Sequence, residues 1–147
     1  MIEWMKEHVG WTILIGVLIL VFLVDSCSDK DDGYSLNGYS HYRVAISVRM
    51  TENTGVGNEF EWQFRVNGEI VNAGDIIPAQ TPLSCYAKVV ENDSYRYPDI
   101  GMNTVTIKPS QTNKATLYVY VDEYGGISNQ GSYARFTVIF TFSGYNK

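Results

Sequence analysis

Histidine and cysteine are scarce in this chain, two of each among 147 residues. The histidines are His8, in the N-terminal apolar region, and His41, just before the first patterned segment. A serine or cysteine nucleophile therefore has no well-placed imidazole base, and triad-type acyl transfer is excluded unless His41 folds back. The same shortage leaves too few ligands for a zinc site. Concentrated basic charge is missing as well: 11 Lys and Arg stand against 16 Asp and Glu, a net charge of −5. Scattered cations offer no face that would displace counterions from a nucleic-acid backbone. Helical periodicity is absent after Val24, and the length left beyond the N-terminal segment suits one domain and no second core.

What is present begins with an apolar run, Val9 to Val24, that breaks into Val24-Asp25-Ser26-Cys27 and then Ser28-Asp29-Lys30-Asp31-Asp32-Gly33. Two physical readings follow. In one, the run is the core of a secretory signal, and Cys27, preceded by small Ser26 and with aliphatic Val24 three positions before it, is the lipidated first residue of a mature lipoprotein. These residues resemble the N-termini of surface lipoproteins of Bacteroidetes-type bacteria, in which a short polar and acidic stretch follows the cysteine. The resemblance implies a place in the cell envelope and no activity. Asp25 in the cleavage box, and Glu3 and Glu7 against Lys6, depart from that pattern.

In the other reading the run is an uncleaved anchor helix. It would rise only about 24 Å against roughly 30 Å of hydrocarbon, with Trp4 and Trp11 as interfacial residues. A buried core helix is a third reading of such a run. The organisation expected is thus 1–26 as signal peptide or membrane anchor, 27–41 as a flexible tether, and 42–147 as a β-domain outside the cytoplasm. Cys85 alternates in phase with Leu83, Ala87 and Val89 and reads as a small buried hydrophobe. A Cys27 to Cys85 disulfide is the alternative.

Beyond the tether the pattern is period two. Val44, Ile46, Val48 and Met50 alternate with Arg43, Ala45, Ser47 and Arg49, so the first set is expected on a buried face. Phe60, Trp62, Phe64 and Val66 alternate with Glu59, Glu61, Gln63 and Arg65, and Asn67-Gly68 then suits a tight hairpin turn into Glu69 to Asn72. Pro78 and Pro82 argue against central-strand pairing in the loop that follows. Further strands are expected at Leu83 to Val90, Thr104 to Ile107, Ala115 to Asp122 and Ala134 to Phe142. About seven short strands with turn signals between them point to an all-β, antiparallel sandwich of immunoglobulin or fibronectin type, with a small closed barrel as the alternative. Trp62 is the candidate central aromatic of its core. The paired cysteines of antibody domains are absent, so the resemblance is to architecture alone.

Candidate chemistry is thin. Asp29, Asp31 and Asp32 lack the spacing of a calcium loop, Asp122-Glu123 reads as a strand end, and Glu59 with Glu61 reads as the solvent side of a strand. No metal or other cofactor is expected. Tyrosine stands out, with 11 residues. Tyr118 and Tyr120 point away from Leu117 and Val119, and Tyr86 away from Cys85. If their strands are neighbours, these three form an exposed platform. Tyr95, Arg96 and Tyr97 add two rings and a guanidinium on a loop, a composition typical of contact surfaces. The expected function is a non-enzymatic, membrane-tethered binding or assembly module of the bacterial envelope that meets a protein partner. Its alternative is a carbohydrate-binding surface lipoprotein using the tyrosines.

Overall fold

A computed structural model describes residues 35–92, 98–122 and 131–147. The apolar run, Cys27 and the Tyr95–Arg96–Tyr97 group lie outside the described residues. The described chain is all β: β1 (His41–Asn53), β2 (Phe60–Val66), β3 (Glu69–Ile70), β4 (Ile76–Pro78), β5 (Leu83–Glu91), β6 (Asp99–Ile107), β7 (Lys114–Asp122) and β8 (Tyr133–Tyr145). They form two antiparallel sheets of four strands, ordered β4-β1-β8-β7 and β3-β2-β5-β6. Immunoglobulin constant-type sheets run ABED and CFG, and this order differs from theirs.

Alternation decides which side chains enter the space between the sheets. Val44 on β1, Leu117 and Val119 on β7, and Val138, Phe140 and Phe142 on β8 are buried from one side, and Leu83, Cys85, Ala87 and Val89 on β5 from the other. The ring of Phe136 meets Phe60 at 4.9 Å and Trp62 at 5.0 Å, and Phe140 meets Phe64 at 5.9 Å, all edge to face. These contacts cross from sheet to sheet. Burying each large side chain contributes roughly 2 to 3 kcal/mol before entropy is counted.

The two flanks of the body differ. On one flank β6 and β7, the edges of different sheets, approach closely. Gly101 lies against the Tyr120 carbonyl, where a Cβ would collide, and the Asn103 side-chain amide donates to the Tyr118 carbonyl at 2.8 Å. On the other flank β4 pairs only with His41, Tyr42 and Arg43, and β3 only with Arg65 and Val66. This short excursion covers one half of the flank. The other half is open, and there the side chains expected inside are wet: Val48 is 40% and Met50 46% exposed, and Trp62 is only half-buried. The expectation of a buried face fails at Val48 and Met50 because, among the described residues, no strand flanks β1 on the side away from β8 beyond Arg43.

The two ends differ as well. Leu36 is buried, and its N–H donates to Pro109 in the β6–β7 turn at 3.0 Å. Tyr39 lies over Gly144, and the Ser40 N–H donates to the Asn146 side chain at 3.3 Å. Packing thus begins at Leu36, inside the segment expected as a tether. The chain enters at this proximal end. Asn53, Glu91, Asp99, Asp122 and Tyr133, the ends of their strands, all lie at the opposite, distal end, as the antiparallel registers require.

Candidate binding surface

On β7, Thr116, Tyr118, Tyr120 and Asp122 alternate with buried Ala115, Leu117, Val119 and Val121, so both tyrosines face out of the first sheet. Register brings β8 alongside, with Arg135 opposite Tyr120 and Tyr133 opposite Asp122. On the other side of β8, a bulge between Met50 and Glu52 shifts β1 by one residue. Without the extra residue Thr51 would stand opposite Arg135; with it, Glu52 does.

The result is one connected group at the distal end. Tyr120 and Tyr133 stack at 5.3 Å, and the Arg135 guanidinium lies 4.8 Å from the Tyr133 ring and 5.8 Å from the Tyr120 ring. Arg135 pairs with Glu52 at 3.2 Å, and the Tyr133 hydroxyl donates to the same carboxylate at 2.5 Å. That hydrogen bond is the chief reason the Tyr133 phenol titrates above its ordinary value. Tyr120 is shifted the same way, chiefly by its hydrogen bond to Asp122. Both phenols are held protonated. The group therefore offers ring faces, a guanidinium and neutral hydroxyls, which suits contact better than proton abstraction.

The residues singled out by sequence fall in different places. Tyr118, 71% exposed, and Tyr120 share this face. Tyr86 does not. It projects from β5 on the outer side of the second sheet, where its hydroxyl donates to the Met102 sulfur at 3.8 Å. β5 and β7 belong to different sheets, so the adjacency on which a Tyr86–Tyr118–Tyr120 platform depended is not met. Cys27, Tyr95, Arg96 and Tyr97 lie outside the described residues. Sequence marks Tyr133 only as a tyrosine flanking the Gly125-Gly126 loop, and it does not single out Arg135 or Glu52. Their only sequence signal was that Arg135 falls on the outward phase of its strand. The bulge that recruits Glu52 left no mark in the alternation.

Cys85 is fully buried and free, and burial pushes its thiol up to about 12. A thiol so placed is inert. Glu91 and Asp99, directly opposite each other at the distal ends of β5 and β6, are also buried.

No family model matches the chain, and neither a curated protein nor a solved structure is similar to it.

Proposed function

We propose that the chain is a membrane-tethered, extracytoplasmic binding or assembly module of the bacterial cell envelope and not an enzyme. Either lipid on Cys27 or a helix over 9–24 holds it to the membrane. Its two-sheet body belongs to the broad class of immunoglobulin-type sandwiches, with a strand order of its own. The single observation that carries the reading is polarity along the body. The chain arrives at the proximal end through Leu36, while the Tyr120, Tyr133 and Arg135 group sits at the distal end. A domain anchored at one end presents the other to whatever it meets.

Chemical crosslinking in the native envelope tests this. The reading expects adducts of higher mass containing a second protein, and monomer alone would count against it. Carbohydrate binding is the second reading, supported by three exposed or half-exposed rings, Tyr118, Tyr120 and Tyr133, on one sheet face. It predicts loss of glycan binding in Tyr120→Ala, and silence on a glycan array would end it.

A further inference from the structure

The open half of the β1 flank is an unfinished sheet. The Val44 N–H donates to Asp75 and its carbonyl accepts from Gly74, both on the side away from β8. By the two-residue period, the N–H and C=O of Ile46, Val48 and Met50 point the same way. Among the described residues no backbone partner meets them there. Their side chains share the inward phase of Val44 and are half-buried or exposed, and Met50 stands opposite Phe136, whose ring meets the half-buried Phe60 and Trp62. Soluble proteins blunt such edges with Pro, Lys or a covering element. The stretch Ala45 to Met50 has neither residue, and its bulge comes only after Met50.

We infer that this edge accepts an extended segment of a partner protein by strand addition, with large apolar residues at alternate positions and carboxylates at the positions between. This rests on the reading that the domain works by binding a protein and gives the partner its form. Backbone hydrogen bonds to Ile46, Val48 and Met50 extend the first sheet, and the apolar side chains fill the gap beside Trp62.

Charge selects the occupant. The outer face of β1 along this edge carries Arg49 and no acid before Glu52, which is already engaged by Arg135 and Tyr133; Arg43 stands beside Ile76 of β4, over the Tyr145 ring. Across the strand, Arg49 faces Thr137, with Ile139 and Arg135 as its diagonal neighbours. A chain of net charge −5 thus presents a cation, Arg49, and no carboxylate on the outer face of this edge. Two registers of a second copy of β1 bring like charges together. Antiparallel pairing about Arg49 sets Arg49 against Arg49, and pairing about Val48 leaves them diagonal neighbours at roughly 7 to 8 Å. Leu36 joins the domain beside Pro109, in the turn between β6 and β7 on the closed flank, and not at this edge.

The test is amide exchange of the full-length chain in detergent with a synthetic octapeptide, Thr-Val-Glu-Val-Glu-Ile-Thr-Val. At ten times Kd, exchange of Ile46, Val48 and Met50 should slow about tenfold while β5 amides stay unchanged. A peptide of the same composition without the alternation should give no slowing, and one with Lys for Glu should bind more weakly. Val48→Pro removes an N–H that meets no backbone partner among the described residues and should abolish capture. Arg49→Glu, at an exposed position, should reverse the Glu-over-Lys preference. The inference is overturned if the three amides stay fast, if the scrambled peptide protects them equally, or if they are already protected in proportion to chain concentration, which would mean a second copy holds the edge. Envelope crosslinks without peptide capture would remove strand addition and leave the binding role. Capture without crosslinks would do the reverse.

Discussion

Gly101 on β6 lies against the backbone of Tyr120 on β7, at a distance that admits no side chain. A Cβ there would run into the Tyr120 carbonyl oxygen and a methyl of Val121. The closed flank depends on this approach. Gly101→Ala should therefore cost about 1 to 3 kcal/mol through overpacking. It should also disturb the Tyr120–Tyr133 stack, and urea melts together with aromatic chemical shifts would check both. An unchanged melting midpoint would mean the two edges are not held in contact.

Burial separates two aromatic substitutions. Phe140 is fully buried between the sheets, whereas Trp62 stands at the open flank against Phe64 and Phe136. Phe140→Ala should cost about 3 to 5 kcal/mol and Trp62→Ala distinctly less, about 2 kcal/mol. Equal losses in denaturant melts would mean that Trp62 is covered in solution.

Cys85 gives a pH dependence with a definite sign. Its folded thiol titrates at about 12 against a reference of 9.0. The unfolded chain releases the proton first, so the contribution is fully present below the unfolded value and is lost as pH rises toward the folded one. Stability should fall by up to about 1.4 kcal/mol per pH unit in that window. Cys85→Ala should flatten this part of the alkaline limb, and the native thiol should resist alkylation until the chain unfolds. Rapid labelling of the folded protein would contradict its burial.

The distal group should behave as a unit. Tyr133→Phe removes the donor and Glu52→Gln the charge of one charge-assisted hydrogen bond. A double-mutant cycle in stability should return a favourable, non-additive coupling. Additive effects would mean that the Tyr133 hydroxyl and Glu52 do not meet in solution.

At the N-terminus, intact mass of the membrane-extracted protein separates cleavage from retention. Lipidation at Cys27 predicts loss of the 26 residues before it with added acyl mass. An uncleaved helix predicts the full-length mass, and recovery of the chain from the cytosol would contradict both.

Period-two alternation made most strands legible, and Asn67-Gly68 marked its turn, because a strand with one buried face writes its phase into the residues. The same rule misread Val48 and Met50. Alternation reports which way a side chain points, and whether another strand covers it depends on pairings far away in sequence. β6 begins at Asp99 and not near Thr104, since Gly101 and Asn103 serve its contact with β7 and break the apolar pattern. Pro78 was read correctly as unfit for a central strand and lies in β4, an edge strand. The tyrosines of β7 were legible as exposed. Their partners were not, because Tyr133, Arg135 and Glu52 reach them through strand order and a bulge that local pattern does not encode.

The central claim is that a chain held at its proximal end does its work at the distal end and along the open flank. Photocrosslinking residues placed one at a time at Val48, Tyr118 and Ser110 of the full-length protein in its native envelope test this most directly. Val48 and Tyr118 should give adducts with a protein partner, and Ser110, in the proximal turn, should give none. Adducts from Ser110 alone, or from no position, would contradict the account.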